Sequence, residues 1–450
     1  MKMQIADYEV RPGVVPSGRK TFVRIIPRGK HARFDDRIHD QPKGSPFRFD
    51  PEIFEPDETA EYRIYFLPMQ QTMEPAPLTV CDSVLVRPDR DGSLAFEYAF
   101  SGEQEYRLVI TDPQKDGKEL LRLSVFSLFP DLYGRRVYRG DLHVHSYFSD
   151  GREEPMIVAA NYRKQGFDFM ALTDHNKMYP SKLLLEACQN IPSDLTLFTG
   201  EEVHVPYPAY IHAINFGGAS SVNEFYEEHR AECDGEIARM AQDLKAPDGL
   251  DPLQLAQRIW VAQQIKKTGG MSILVHPHWI SNAYNMPDDV TDYLFEHEIY
   301  DAFELLGGQS VHENNMQTAF YHDQRARGRR IPIVGSSDSH GTEPPVYFTW
   351  SSTLVFASDK SFERLTGAIK DLYSVAVEKY PNEEYRVHGP YRYVKYARYL
   401  LESYFPRYDE LCWEQGRLMK EYACGDKEAL DMLRLLSGRA EKFAASFFGG

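Results

Sequence analysis

The sequence lacks the features that mark membrane and secreted proteins. No apolar run approaches the length of a bilayer-spanning helix, and the first residues contain no apolar signal-peptide core. There are only five cysteines in 450 residues, and they are scattered, without the close spacing of a metal site or a disulfide framework. We therefore expect free thiols and a cytoplasmic protein.

The sequence is also short of positive charge. It contains 51 Lys and Arg against 67 Asp and Glu, which gives a net charge of −16. An acidic surface repels nucleic-acid phosphates and anionic membranes, so we expect neither general nucleic-acid binding nor membrane binding. A phosphate substrate is still compatible with this charge, because bound cations reverse the local field. Nothing in the sequence indicates the oligomeric state.

Several familiar catalytic motifs are missing. The chain has no Gly-x-Ser-x-Gly elbow, no Walker phosphate loop and no dinucleotide-binding fingerprint. Internal repeats and low-complexity tracts are absent as well. These absences exclude serine-hydrolase, P-loop and Rossmann chemistry and direct attention to metal ligands.

The hydrophobic pattern changes once along the chain. Residues 1–135 contain short strands of alternating apolar and polar residues separated by turns, which predicts a β-sandwich domain. From about Tyr138, strand-like runs alternate with helical stretches, which predicts an α/β fold, a β/α barrel over 136–380. Residues 222–268 are expected to form a helical insertion in this barrel. Residues 381–450 show helical spacing and are expected to form a helical C-terminal segment.

Histidines and carboxylates recur where apolar runs end. Neutral imidazole and carboxylate are the ligands that Zn, Mn and Fe accept in proteins. All carboxyl ends of barrel strands open on one face, so such residues are expected to converge there. The segments, in chain order, are Asp141-Leu142-His143-Val144-His145, Ser149-Asp150-Gly151, Leu172-Thr173-Asp174-His175-Asn176, Gly200-Glu201-Glu202, Tyr210-Ile211-His212, Val275-His276-Pro277-His278 and Ser337-Asp338-Ser339-His340.

A single histidine at a strand end is more often a hydrogen-bonded structural residue than a ligand. Seven such segments together favour a metal centre, because buried polar groups at a barrel mouth cost free energy unless they are paired. His143 and His145 are two residues apart and would therefore point to the same face of a strand. We accordingly predict a shared metal site.

The ordered set His-x-His, Ser-Asp-Gly, Thr-Asp-His-Asn, Gly-x-Glu, His, His-Pro and Ser-Asp-Ser-His resembles the polymerase and histidinol phosphatase (PHP) family over about residues 139–345. The resemblance implies a distorted seven-stranded β/α barrel, two to three divalent ions (Zn, Mn or Fe) and phosphoester hydrolysis. It assigns ligands to three metal positions. They are His143, His145 and Asp338 for the first; Glu202, bridging to a second that His212 and His276 complete; and Asp150, His175 and His340 for the third.

Some roles remain open at this point. The bridge could be Glu201 or Glu202, and the family spacing favours Glu202. Asp174, Asn176 and Asp141 are expected to orient the ligands beside them.

Four residues near the ligands are candidates for the catalytic groups. Arg152, Lys177 and His278 could hold a phosphate or protonate a leaving group. Asp174 is the fourth candidate. The alternative for Arg152 and Lys177 is that they are solvated loop charges. Trp279 could be a pocket wall or part of the core.

The predicted function is hydrolysis of a small phosphate ester by a metal-activated hydroxide. The first alternative is hydrolysis of a carboxylic or carbamic ester at the same metals. It rests on the β-rich front domain and on the stretch His212-Ala213-Ile214-Asn215, which resemble a branch of the superfamily that includes carbaryl hydrolases. The second alternative is a non-catalytic, metal-containing binding protein. A complete ligand set argues against that alternative, because a decayed site would have lost members.

Overall fold

The structure is a computed structural model that describes residues 8–28, 59–73, 77–115, 117–209, 211–343 and 348–449. The chain divides into two compact units. The first comprises Met1–Gly134, Glu402–Tyr404 and Lys442–Gly450, and the second comprises Arg135–Leu401 and Phe405–Glu441. The three-part division with boundaries at residues 135 and 380 stays a prediction.

The first unit is built mainly of two β-sheets. Its strands are β1 (Tyr8–Arg11), β2 (Val14–Pro16), β3 (Lys20–Pro27), β4 (Tyr62–Pro68), β5 (Ser83–Val86), β6 (Leu94–Ala99), β7 (Gln104–Asp112) and β8 (Lys118–Leu128). The sheet orders are β1-β3-β6 and β2-β8-β7-β4-β5. Among the described strands of this unit, only β2 and β8 pair in parallel. Two 3-10 turns, Leu78–Val80 and Pro113–Lys115, and a short helix α1 (Pro130–Tyr133) complete the described part.

Alternation along the strands explains how the two sheets form a core. In β4, Tyr62, Ile64 and Phe66 are buried while the residues between them are more exposed. Val23 of β3 joins Ile64 and Leu108 in one apolar cluster, so side chains of both sheets share a single core. This confirms the β-rich N-terminal region that the sequence predicts.

The second unit contains eleven strands among the described residues. They are β9 (Arg136–Asp141), β10 (Phe169–Ala171), β11 (Thr196–Phe198), β12 (Gly200–Val203), β13 (Ala213–Phe216), β14 (Met271–Leu274), β15 (Ala302–Leu306), β16 (Ile333–Gly335), β17 (Ser351–Ala357), β18 (Ser374–Glu378) and β19 (Arg386–His388). Strands β10, β12, β13, β14, β15 and β16 are buried along their whole length. Continuous burial of this kind is typical of strands covered on both faces.

These strands form two sheets, and the predicted closed barrel is not seen in the described part of the chain. The sheet orders are β11-β10-β9-β17-β18-β19 and β12-β13-β14-β15-β16. Isolated parallel bridges link the two sheets, one between His175 and Glu202 and one between Val144 and Ser339. At each bridge at least one partner lies in a loop beyond the end of its strand. The fold is thus a mixed α/β arrangement of two sheets and helices.

The remaining helices follow β9 in the chain. They are α2 (Pro155–Lys164), α3 (Tyr179–Cys188), α4 (Val222–Glu228), α5 (Arg230–Asp243), α6 (Pro252–Lys267), α7 (Asp288–Glu296), α8 (Val311–Ala326), α9 (Phe362–Lys370), α10 (Tyr391–Ser403), α11 (Phe405–Ala423), α12 (Glu428–Leu436) and α13 (Arg439–Phe448). No helix in the described ranges is both long and apolar enough to span a membrane. Helices α4, α5 and α6 occupy the predicted insertion, and helices α10 to α13 confirm the helical character of the C-terminal segment.

Local sequence signals explain where several helices begin. Asp251 caps α6 by accepting a 2.9 Å hydrogen bond from the Leu253 amide, and a proline occupies its first turn. Ser310 and Glu313 form a reciprocal capping box at the start of α8. These caps fix where the two helices begin.

Helix α11 packs closely against α2 beside the sheet. A Cβ added at Gly416 would lie 2.2 Å from the Lys164 amide nitrogen, so only glycine permits this approach. Arg163 of α2 is fully buried at the same contact, where its Nε donates to Gln415 at 2.7 Å and its Nη1 donates to the Phe167 carbonyl at 3.0 Å. Helix α11 is therefore fixed to α2, the helix that follows the first ligand loops.

Candidate metal centre

The ligands predicted from the sequence converge at the carboxyl ends of the strands. Three of them follow β9, one follows β10, one lies on β12, one precedes β13, one follows β14 and two follow β16. Their ligand atoms form overlapping groups that could each hold an ion. The groups are His145, Asp150, His175 and His340; His143, His145 and Asp338; His143, Glu202 and His276; and His175, Glu202 and His204.

The first predicted metal position is formed by His143, His145 and Asp338. The Oδ1 atom of Asp338 is 3.2 Å from His143 Nε2 and 3.0 Å from His145 Nε2. Both imidazoles are fully buried. His143 is held from its other side, because its Nδ1 lies 2.9 Å from Glu304 Oε2. This arrangement leaves Nε2 of His143 directed at the shared centre.

Glu202 lies between all the groups and is fully buried. Its Oε2 is 3.3 Å from His143 Nε2, 3.5 Å from His145 Nε2 and 2.8 Å from His175 Nδ1. Its Oε1 is 2.7 Å from His212 Nδ1 and 3.5 Å from His276 Nε2. One carboxylate thus contacts imidazoles of every predicted metal position, as a bridging ligand must.

The third predicted metal position, formed by Asp150, His175 and His340, is the most exposed part of the centre. Asp150 Oδ1 lies 3.3 Å from His175 Nε2, and its Oδ2 lies 3.2 Å from His340 Nε2. The side chains of Asp150 and His340 retain 56% and 38% of their accessible surface, whereas His145 is fully buried. A substrate can therefore reach the centre from this side.

Glu201 and Glu202 point in opposite directions, as neighbours on a strand do. The Glu201 carboxylate accepts hydrogen bonds from the Val222 amide at 2.6 Å, from Ser221 Oγ at 2.5 Å and from Asn223 Nδ2 at 2.8 Å. It therefore anchors the start of α4, and only Glu202 faces the histidines.

Several buried atoms of the centre lack hydrogen-bond partners in the described part of the chain. They include Nε2 of His143 and Oε2 of Glu202, which lie 3.3 Å apart. A buried polar atom without a partner is costly, and a metal ion between an imidazole and a carboxylate satisfies both. The donor set of neutral imidazoles and carboxylates matches Zn, Mn or Fe. The residues present therefore fit a bound divalent ion.

Nearby carboxylates and burial shift the pKa values of the imidazoles in the centre in opposite directions. Desolvation by itself would lower the pKa of His175, but hydrogen bonds and charges from Asp150 and Glu202 outweigh it and raise that pKa to about 10. Desolvation dominates at His212 and lowers its pKa to about 4. Without a cation the carboxylates retain protons on neighbouring imidazoles, and a metal ion takes the place of those protons.

Backbone strain is concentrated at the same loops. His276, Asp338 and Asn176 have positive φ values of 27°, 47° and 63°. Residues other than glycine rarely adopt this conformation, and it persists where the surrounding structure imposes it. Here it directs His276 and Asp338 from the ends of their strands into the centre.

Two buried aspartates hold the ligand loops in place. Asp174 accepts hydrogen bonds from the amide and hydroxyl of Ser146 and from those of Ser149, at 2.7–3.1 Å. Asp141 accepts from the Ser337 amide at 3.1 Å and from Tyr162 Oη at 2.9 Å, and burial raises its pKa to about 6. Asp174 thus fixes the loop that follows His145, and Asp141 ties the end of β9 to the loop that carries Asp338.

The other residues selected from the sequence lie around the centre in different settings. Lys177 Nζ donates to the Phe148 carbonyl at 2.7 Å, and Arg152 is exposed on the loop after Asp150. His278 Nε2 lies 3.0 Å from Asp288, on the side of α7, and not against any of the metal-binding groups. Their predicted catalytic roles stay predictions.

Three further residues belong to or adjoin the predicted ligand segments. Trp279 is 38% exposed, with its ring centroid 5.8 Å from that of His212. Asn176 Oδ1 accepts a 2.7 Å hydrogen bond from Tyr207 Oη. Tyr210, in the segment that ends at His212, lies outside the described residues.

Sequence reasoning missed two residues of the centre. His204 Nε2 lies 2.8 Å from His175 Nδ1, and Glu304, in the middle of β15, contacts His143. The signal for His204 was present, because it follows Glu202 by two residues, the same spacing that relates His143 to His145. Glu304 belongs to a short apolar strand and has no such signal.

Comparison with known proteins bears on the family. Residues 141–324 match the PHP domain, which leaves Asp338 and His340 beyond the matched segment. No curated protein matches the chain. No match supports the predicted likeness to carbaryl hydrolases.

Solved structures show weaker similarity. A two-domain protein from Bacteroides vulgatus, described as containing a predicted PHP-like metal-dependent phosphoesterase, is 18% identical, with a TM-score of 0.39 over 55% of this chain and 66% of its own. A candidate metal-dependent phosphoesterase from Bifidobacterium adolescentis is 19% identical, with a TM-score of 0.33 over 46% of this chain and 89% of its own. The present chain thus spans slightly less than two thirds of the first of these proteins.

A third structure is an amidohydrolase from Chromobacterium violaceum with bound sulfate and no metal. It is 17% identical, with a TM-score of 0.31 over 46% of this chain and 89% of its own. These similarities are too low to carry an argument, and the assignment rests on the domain match. By that match, residues 141–324 of this chain are a PHP domain.

Proposed function

We propose that this protein hydrolyses a small phosphate monoester with the help of two to three divalent transition-metal ions, Zn, Mn or Fe. The observation that carries this proposal is the position of Glu202. Its buried carboxylate lies within 3.5 Å of imidazole nitrogens from all three predicted metal positions. Ions held at such a centre lower the pKa of water towards neutrality and neutralise the charge of phosphate oxygens.

The protein residues then have distinct tasks. His143, His145 and Asp338 would hold the first ion, and Glu202 would bridge it to a second held with His212 and His276. Asp150, His175 and His340 would hold the third. The ligands are positioned before substrate arrives, because Asp174, Asp141 and Glu304 already fix the loops and ring orientations.

The exposed side of the centre is where we place the substrate. The side chains of Asp150 and His340 are partly exposed, whereas that of His145 is fully buried. Arg152 follows Asp150 by two residues and is exposed, so its guanidinium can approach a phosphate bound there. Lys177 is held near the same loop by the Phe148 carbonyl and is the second candidate for this role. Cytoplasmic location is part of the proposal, and it rests on the sequence alone.

A substrate panel tests the reaction class. Metal-loaded protein is incubated with p-nitrophenyl phosphate, nucleoside monophosphates, an aryl acetate and an aryl carbamate. We expect release of phosphate from the first two, competitive inhibition by inorganic phosphate, loss of activity with chelator and recovery with Mn or Zn. Spread negative charge on a phosphate monoester suits several cations, whereas a neutral ester gains charge only in the transition state.

The contrary results are equally specific. Ester or carbamate turnover that phosphate does not inhibit, together with no phosphate release, would replace the proposal with the ester-hydrolase alternative. Activity that survives removal of metal would contradict the role of the ions.

A further inference from the structure

His204 is part of the centre although no motif of the family resemblance includes it. It follows β12 and lies two residues after Glu202, on the same side of the chain. Its side chain is 10% exposed. Its Nε2 lies 3.5 Å from Glu202 Oε1 and 2.8 Å from His175 Nδ1.

We propose that His204 binds a metal ion directly through Nε2, at the Oε1 side of Glu202. Ligands of one tetrahedral zinc, each about 2.0–2.1 Å from the ion, lie roughly 3.3 Å from one another. The 3.5 Å between His204 Nε2 and Glu202 Oε1 is close to that spacing and is long for a hydrogen bond. His276 Nε2 lies at the same 3.5 Å from this oxygen. The inference rests on the proposed metal centre and adds one ligand to it.

The backbone around His204 is held as a ligand site requires. Its amide donates a 3.0 Å hydrogen bond to Asn223 Oδ1, at the start of α4. The Nδ2 atom of the same Asn223 donates to Glu201 Oε2 at 2.8 Å and to the Glu202 carbonyl at 3.2 Å. One side chain of the helical insertion thereby holds the Glu201 carboxylate, the Glu202 carbonyl and the His204 amide. Precise support of this kind is what a metal ligand needs.

The ligand count gives the proposal a functional consequence. With His204, the position at Glu202 Oε1 is surrounded by three imidazoles, those of His204, His212 and His276, and by one carboxylate. Zinc positions with four protein ligands are closed, whereas catalytic positions keep one place open. We therefore expect this ion to be held tightly, while the exposed group at Asp150 accepts the substrate.

A positioning role is the competing explanation. His204 could hydrogen-bond His175 Nδ1 and only orient that ring. Residues that orient a ligand typically change metal affinity by about 10–100-fold when mutated. A glutamine at 204 can still hydrogen-bond His175 but is a poor zinc ligand. The two roles therefore separate in the glutamine variant.

The test is a Zn²⁺ titration of metal-stripped, full-length protein in competition with a chelating dye. The variants are His204→Ala, His204→Gln and the control His229→Ala, whose imidazole is exposed and contacts the Phe225 carbonyl. We expect the control to bind like the wild type. Both His204 variants should lose more than about 100-fold in affinity at one site, beyond the usual effect of an orienting residue.

A second readout does not depend on affinity. The Co²⁺-loaded wild type and control should share one visible spectrum, and both His204 variants should differ from it because one ion has lost an imidazole. Wild-type affinity and an unchanged spectrum in His204→Gln would assign His204 a positioning role and overturn the proposal. A wild-type protein that binds less than one ion would instead refute the metal centre itself. Thermal melting of the metal-stripped proteins verifies that each variant is folded.

Discussion

The two glutamates of the Glu201-Glu202 pair should differ in what their replacement damages. Replacing Glu202 should reduce metal binding, and replacing Glu201 should reduce the stability of the fold. Glu202→Gln removes the charge that links the predicted metal positions, and the neutral amide is a poor ligand for a divalent cation. We expect this variant to lose at least one bound ion per chain and most phosphatase activity. Its metal-free form should remain folded, because the neighbouring histidines can lose the protons that this carboxylate retains.

Glu201→Gln should instead reduce stability and leave the metal content unchanged. In the wild type, one Glu201 oxygen accepts hydrogen bonds from Ser221 and Asn223, and the other accepts from Asn215 and Val222. Glutamine replaces one of these oxygens with an amide nitrogen, which cannot accept the two hydrogen bonds made there. Hydrogen bonds to charged groups contribute about 1.5–3 kcal/mol each, so the variant should lose at least about 3 kcal/mol of stability. Its metal content should stay at the wild-type value whenever it is folded.

The assay combines elemental analysis after dialysis against Zn with urea unfolding of the metal-free proteins. The matched pair has the same chemical change at adjacent positions, so differences report only the direction in which each side chain points. Equal loss of metal in both variants, or greater loss in Glu201→Gln, would refute the assignment of Glu202 as the bridge.

Further predictions concern stability. Gly416→Ala should destabilise the protein by about 1–3 kcal/mol, because the new Cβ would meet the Lys164 backbone at 2.2 Å. Gly235→Ala, at an open helical position, should stabilise it by about 1 kcal/mol in the same urea experiment. Asp292 is half-buried against Arg329 and has a lowered pKa despite the opposing effect of desolvation, so it stabilises the fold above the ordinary pKa of an aspartate. Asp292→Asn should therefore cost up to about 1 kcal/mol at pH 7, and wild type and variant should converge as the pH falls below 4.

Local patterns explain why much of the architecture could be predicted. Alternating residues in β4 and the turn signals around it identify a half-buried strand from sequence alone. Each ligand loop begins with an apolar strand, so strand ends and ligands could be found together. Spacing also favoured Glu202 over Glu201, and the structure turns only Glu202 towards the histidines.

The parts that escaped prediction depend on long-range contacts. Barrel closure depends on pairing across sheets, and the structure has isolated bridges at His175–Glu202 and Val144–Ser339 where a continuous ladder was expected. The buried ion-pairing partner of His143 is Glu304, an acidic residue within an apolar strand that gives no local signal. The helical insertion predicted over 222–268 is interrupted at His229, between α4 and α5, because φ of −124° at that residue leaves the helical region.

Metal content tests the central claim most directly. The full-length protein is stripped with chelator, reconstituted with Mn or Zn, dialysed and measured by elemental analysis. Nine predicted ligands joined through one buried carboxylate predict two to three ions per chain. Less than one ion per chain after reconstitution would contradict the metal centre and the phosphoester hydrolysis proposed from it.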